Sequence, residues 1–333
     1  MDALTLLIML LKTVMVLVVL MTLCAYTTLI ERRLLARFQS RIGPNQAGFF
    51  GILQPLADLI KLIFKEDLTP VGANRVMFTL APAMAFVPAF MSIAVIPFGP
   101  SVTVFGRQVD MVISDINVGI LFIFAASSLG VYALVLAGWS SNSKYSLLGG
   151  LRASAQMISY EVSLGLSVVG VLMLAGTLSL TGIVTSQATI GEWYIWKQPL
   201  GFLLFLISGI AETNRAPFDL PEAENELVAG YHTEYSSVKF SMFFVAEYAN
   251  MVTISALATI LFLGGWSGPW LPPIVWFLIK IAFFLFLYIW LRATLPRLRY
   301  DQLMRFGWLI LLPVGLANII LTALLLRLGW LSW

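Results

Sequence analysis

Apolar runs close to the length that crosses a bilayer recur along the whole 333-residue chain. A spanning helix needs roughly 20 predominantly apolar residues, and lipid offers no partner to an unpaired backbone group. The pattern therefore predicts an all-α integral membrane protein with eight transmembrane helices. They fall at about 4–30, 76–98, 117–139, 156–177, 199–212, 240–263, 273–292 and 307–328. Residues 1–333 read as a single polytopic membrane domain. Composition leaves little choice of solvent: 59% of residues are hydrophobic and 11% charged, where soluble domains carry about 25% charge. The first run continues past residue 20 to Glu31-Arg32-Arg33 without a small-residue cleavage site, so no removable signal is expected.

An even number of spans puts both termini on one side. Of the 20 Lys and Arg residues, 15 fall in the segments 31–75, 140–156, 213–239 and 292–305. The positive-inside rule assigns that side to the cytoplasm of a bacterial inner membrane, or to the matrix of a mitochondrial one, with both termini on the outer face. Trp193, Trp196, Trp266, Trp270 and Trp330 gather near the outer ends, as an interfacial belt does. Pro82, Pro88 and Pro97 predict a second helix that is kinked and packed against protein. No inverted repeat is evident, which weighs against a common transporter architecture.

One Cys and one His exclude an internal disulfide, a bis-His haem and an iron–sulfur cluster held by this chain alone. There is no GxGxxG and no P-loop, hence no nucleotide site. Redox chemistry involving this chain must use a substrate or cofactor brought by others. Nothing points to nucleic acid.

Within the first inner loop, 49–65 is apolar except for Gln54, Asp58, Lys61 and Lys65, which form one stripe. That spacing predicts a helix lying in the membrane interface. It either rests on lipid headgroups or walls a cleft for a lipophilic substrate. Arg41-Ile-Gly-Pro-Asn45 reads as a turn. Arg32, Arg33, Arg37 and Arg41 are placed to hold lipid phosphates or the carboxylates of a docked soluble partner.

The acids are more informative. Glu161, Glu212 and Glu247 all fall in the inner third of their predicted spans, while Lys280 lies near the bilayer centre. An intramembrane charge costs at least ~2.5 kcal/mol on insertion scales, so each needs a reason. Internal pairing, for instance Lys280 with Glu247, is one. A proton-conducting chain is another, because a buried carboxyl can change state near neutral pH. Directly after the fifth span, Glu212, Asp219, Glu222, Glu224, Glu226 and Glu234 crowd into 23 residues with one cation, Arg215. Asp219 and Glu222 suit a capping box on a short helix with Pro221 in its first turn and Gly230 at its end. Capping does not account for Glu226 or Glu234.

These segments resemble a known family. Arg41–Asn45, the stretch from Ala211 to Leu227, Glu234-Tyr235, Ala246-Glu-Tyr248 and Pro296–Gln302 are similar to the signature segments of one membrane subunit of NADH:quinone oxidoreductase. That is the quinone-chamber subunit of respiratory complex I, the H-type subunit of bacteria and subunit 1 of mitochondria. The similarity covers nearly the whole chain, and the acidic stretch is its most specific part. The resemblance implies a subunit of an H+-translocating enzyme that carries no redox centre itself. Flavin mononucleotide and iron–sulfur clusters would sit on peripheral partner subunits, with small membrane subunits alongside and ubiquinone or menaquinone as substrate. It further implies a proton or coupling path through Glu161, Glu212, Asp219, Glu222, Glu224, Glu226, Glu234, Glu247 and Lys280. Arg32, Arg41 and Asp58 would line the quinone chamber. A stand-alone proton- or sodium-coupled transporter, a docking scaffold and a membrane-bound hydrogenase subunit are the alternatives.

Overall fold

The computed structural model describes residues 3–104, 107–219 and 228–330. Its helices are α1 (Ala3–Phe38), α2 (Gln54–Ile63), α3 (Arg75–Met91), α4 (Gly119–Ser140), α5 (Lys144–Ala175), α6 (Leu180–Thr185), α7 (Tyr194–Lys197), α8 (Pro199–Glu212), α9 (Ser237–Phe262), α10 (Pro273–Thr294), α11 (Tyr300–Phe306) and α12 (Leu312–Arg327). A two-stranded antiparallel ribbon, β1 (Val102–Val104) and β2 (Arg107–Val109), sets Val102 opposite Val109. Seven described helices are long and apolar enough to cross a membrane; an eighth span is made if 190–197 and α8, bent by 71°, count as one broken span. The chain is a multi-pass membrane protein.

The core is organised around α9, which packs against α1, α3, α8 and α10. Its C-terminal half is buried continuously from Met251 to Phe262. Phe202 and Phe205 of α8 close on Phe262 with ring centroids 5.4 and 5.5 Å apart. In contrast, α1 exposes Leu10, Met15 and Val18, a lipid- or partner-facing surface.

Three boundaries differ from the sequence reading, each for a physical reason. Helix α1 runs to Phe38 rather than ending near 30, because Glu31 is neutralised by two arginines from other elements. The fourth span begins at Lys144 rather than 156. Its first turns look unlike a span because they are rich in Ser and Gly, but small residues there permit close backbone contact. A Cβ on Gly149 would lie 2.7 Å from the Gly230 backbone, and one on Gly150 would lie 2.8 Å from the Leu134 carbonyl. The last span starts at Tyr300 and passes through a π-helical turn, Gly307–Leu311. That turn fits beside the Tyr160 ring, 3.6 Å from where a Gly307 Cβ would be.

Proline shapes α3 as expected. Pro82 and Pro88 are both buried within it. The chain then tightens into a 3-10 turn, Ser92–Val95, where the Ser92 hydroxyl donates to the Pro88 carbonyl at 2.9 Å.

Helix α2 is shorter than 49–65 because Phe49–Gly51 forms its own 3-10 turn, with Phe50 at φ 51° and Gly51 at φ 70°. No residue of α2 is buried. It is held to the bundle by polar ties: Ser237 donates to the Leu62 carbonyl at 3.0 Å, and Arg32 pairs with Asp58 at 2.6 Å. Gly230 has a positive φ of 62° and opens a 3-10 turn, Gly230–His232. The short helix expected after Asp219 lies outside the described residues.

Candidate functional site: a buried carboxylate cluster

Four elements deliver charge to one place. Glu31 comes from α1, Arg215 from the turn after α8, Glu247 and Tyr248 from α9, and Arg292 from α10. Arg215 Nε lies 2.7 Å from Glu247 Oε1, and Arg215 Nη1 lies 3.4 Å from Glu31 Oε1. Arg292 makes a close ion pair with the same Glu31 oxygen. The other oxygen, Oε2, accepts from the Tyr248 hydroxyl at 2.6 Å. The Arg215 guanidinium also lies over the Tyr248 ring, 4.3 Å from its centroid. Burial acts to lower the basicity of Arg215, but the charges of Glu247, Tyr248 and Glu31 overcome it and hold the group well above its ordinary range. Arg215 is therefore a permanent cation that two carboxylates share. Guanidinium suits that role because its planar fork has five donors and does not deprotonate.

A second pair of acids stands beside the first. Glu212, the last residue of α8, accepts a close hydrogen bond from Ser127, and Glu161 on α5 accepts one from Ser128. Both serines belong to α4. Glu212 Oε2 has no hydrogen-bond partner among the described residues, nor has Asn214 Oδ1. These atoms border a cavity of about 40 Å³ lined by Glu212, Asn214, Tyr231, Glu247 and Asn250. A smaller one of about 20 Å³ adjoins Ser127, Glu212 and Asn250. A water needs roughly 10–15 Å³ by this kind of measure and a few polar partners, so both cavities suit bound water. Glu212 and Glu247 line the larger cavity together, and Glu212 also lines the smaller one beside Ser127.

A family model described as NADH dehydrogenase matches residues 11–323. The chain belongs to this family. It is 57% identical over 317 residues to an H-type NADH-quinone oxidoreductase subunit of Geobacter metallireducens, covering 95% of this chain and 96% of the relative. It is 54% identical over 330 residues to the H-type NADH-quinone oxidoreductase subunit of Syntrophotalea carbinolica, covering 99% and 98%. The same-named protein of Thermomicrobium roseum is 55% identical over 314 residues, 92% of each chain.

In this family member the remaining acids of the segment after α8 are placed as follows. Asp219 is buried and accepts from Arg297 Nη2 at 3.1 Å. Glu234 is half-buried, just after the Gly230–His232 turn. His232 sits against Tyr231 and Phe240, and burial pushes its imidazole down to about 4. Burial pushes the neighbouring Tyr235 hydroxyl up to about 12, against hydrogen bonds with Ser140 and Ser141 that act the other way. Both are thus neutral near pH 7. Glu222, Glu224 and Glu226 lie outside the described residues. Of the residues expected to line a chamber, Arg32 and Asp58 bind each other across α1 and α2. Arg41 is exposed and donates to Gln39 Oε1 at 2.8 Å.

The structure places Lys280 away from the glutamates with which the sequence reading groups it. Its ammonium donates to the carbonyls of Leu263, Gly265 and Ser267 at 2.6, 2.9 and 2.7 Å. The Trp193 ring covers it, 4.3 Å from Nζ to centroid. These carbonyls belong to the cap residue of α9 and to the loop just after it, where the helix dipole favours a cation. Glu247, the partner considered from sequence, is taken by Arg215 instead.

Glu31, Arg292, Ser127 and Ser128 carry no comparable signal in the sequence, and Tyr248 enters only as part of the segment Ala246-Glu-Tyr248. Glu31 reads as the charged end of the first apolar run, and nothing in its spacing announces an arginine arriving from residue 292. The serines look like ordinary small residues of a span. Only the helix packing reveals that two adjacent hydroxyls face two glutamates.

Proposed function

We propose that this chain is the quinone-chamber subunit of a proton-pumping NADH:quinone oxidoreductase. The names of its relatives support the enzyme. The observation that carries the coupling role is the Glu31–Arg215–Glu247 cluster, built on the buried Glu31 and Arg215 and adjoining the cavity with Glu212. Quinone is the substrate, ubiquinone or menaquinone. Flavin and iron–sulfur clusters belong to peripheral subunits on the cytoplasmic side, with small membrane subunits adjacent. The host membrane is the bacterial inner membrane, with both termini on its outer face. Residues 1–333 act as one membrane domain.

In this reading, α2, α1 and α9 frame the access of a lipophilic substrate, and Arg32, Asp58 and Arg41 provide polar contacts towards it. Reduction of quinone to quinol consumes protons and alters local charge. The acidic stretch, Asp219 with Glu222, Glu224, Glu226 and Glu234, responds first. Glu247 then has a choice of partner: while ionised it pairs with Arg215, and once protonated it releases that charge to Glu31. The shift is transmitted across the cavity to Glu212, and from there to Glu161. Burial makes such a change of partner large in energy, since Coulomb interactions strengthen as the local dielectric falls. Lys280, fixed by three carbonyls, holds the outer end and is left out of the relay.

The test is co-purification. The tagged chain is extracted in mild detergent and assayed for flavin, iron–sulfur EPR signals and inhibitor-sensitive NADH:quinone activity. All three should follow the tag. A chain that elutes alone, without redox centres, would overturn this reading in favour of an ion-coupled transporter.

A further inference from the structure

We infer that Ser128 is a positioning residue that retains Glu161 in both of its protonation states. The inference rests on the relay reading above and concerns how one member of it is held. Ser128 Oγ faces two acceptors at once. One is the Phe124 carbonyl, a turn back on α4 at 2.9 Å; the other is Glu161 Oε1 on α5. A hydroxyl has one hydrogen and two lone pairs, so it donates to only one of them at a time.

The two states follow directly. With Glu161 ionised, the serine hydrogen points to the carboxylate. With Glu161 protonated, the carboxylic O–H donates to Ser128 Oγ, and the serine hydrogen turns to the Phe124 carbonyl. The arriving proton stays on Glu161, and Ser128 neither gains nor loses one. Every donor has an acceptor in both states, and no heavy atom has to move. Ser127 differs: among the described residues its hydroxyl is bonded to Glu212 alone. Successive residues on a helix are turned by about 100°, so α4 presents Glu212 and Glu161 side by side on neighbouring faces.

The titratable groups on elements packed against α5 do not compete for this hydroxyl. Glu212 on α8 is held by Ser127. Glu247 and Tyr231 face the cavity beyond Glu212. Lys239 is paired with Asp67, and Tyr248 with Glu31. His232 lies against Tyr231 and Phe240, Tyr132 is exposed, and Arg327 ends α12.

The experiment uses the full complex in inverted membrane vesicles. Protons pumped per NADH oxidised are measured against pH for the parent, Ser128→Ala, Ser128→Thr, Ser128→Val and Glu161→Gln. Losing the hydroxyl penalises the ionised carboxylate more than the neutral acid. Ser128→Ala should therefore displace the pumping profile to higher pH by about one unit, and Ser128→Thr should restore it. If the Ala variant fails to assemble, the Thr and Val pair, equal in shape, carries the same contrast. An unchanged profile in Ser128→Ala, or an equal displacement in Thr and Val, overturns the inference while a pumping defect in Glu161→Gln leaves the relay standing. Normal pumping and activity in Glu161→Gln overturn the relay reading itself.

Discussion

Lys280 and Arg215 are both buried cations, 6% and 8% exposed, and they are satisfied by different chemistry. Lys280 is held by three backbone carbonyls at the C-terminal end of α9. Arg215 is held by the side chains of Glu247 and Glu31 near the other end. Along α9 the two sites are separated by about 24 Å, at 1.5 Å per residue. Carbonyl dipoles cannot titrate and belong to a helix end that does not move independently. Carboxylates can titrate, and a cation shared between two of them can change sides. One site is built to stay as it is, and the other has two arrangements available.

The largest effect should come from breaking the shared cation. Arg215→Met leaves the buried Glu31 and the half-buried Glu247 with their main partner gone, at a cost of about 3–5 kcal/mol. Assembly of the complex, measured by native gel and quinone-reductase activity, should be lost or nearly so. Assembly at the parental level would mean that Arg292 and Tyr248 suffice to hold Glu31, and that the cluster is not a unit.

Lys280→Met sharpens the contrast from the other side. It strands the carbonyls of Leu263, Gly265 and Ser267 and should lower thermal stability by about 1–3 kcal/mol. In complex that still assembles, protons pumped per NADH should match the parent. A reduced ratio would return Lys280 to the proton path.

Packing between α5 and the 230–232 turn gives a third effect, local to that turn. Gly149→Ala puts a Cβ 2.7 Å from the Gly230 backbone, which forces the 230–232 turn away from α5 at roughly 1–3 kcal/mol. Hydrogen exchange at Tyr231 and His232 should accelerate. Parental exchange rates would show that the turn is positioned by other contacts.

The smallest effect concerns His232. Burial lowers its imidazole to about 4 from an unfolded value near 6.5. Below about pH 6.5 the unfolded state binds the proton and the folded state does not, so stability falls as pH falls towards 4. Between pH 6.5 and 5.5 the loss is on the order of 1 kcal/mol. His232→Phe should remove that part of the acid sensitivity in melting curves of the purified complex; an unaltered slope would place the sensitivity in other groups.

The contrast also explains which parts were legible in the sequence. Spans were readable because apolar length is a local property; their ends were not, wherever a charge or a polar stretch was absorbed by a distant partner. Glu31 is the example at α1, and the Gly- and Ser-rich start of α5 is another. Glu161, Glu212 and Glu247 stood out because intramembrane acids are rare. Their partners did not, since Ser127, Ser128, Tyr248 and Arg292 acquire meaning only when α4, α9 and α10 are brought against α5, α8 and α1. Lys280 shows the reverse case. Its place in an apolar run is legible in the sequence, but a lysine side chain reaches well beyond its Cα, and the carbonyls that receive it are invisible in a residue string.

Whether the inner carboxylates change state during turnover is read most directly by carboxyl-region infrared difference spectroscopy. The complex is reconstituted in liposomes and spectra are taken on quinone reduction, for the parent and for Glu212→Gln and Glu247→Gln, alongside protons pumped per NADH. A protonated-carboxyl band should appear in the parent and be lost in at least one variant, together with a fall in the pumping ratio. An identical band pattern and an unchanged ratio in both variants would contradict the relay, and would reduce the cluster to a static ion pair that holds the helices together.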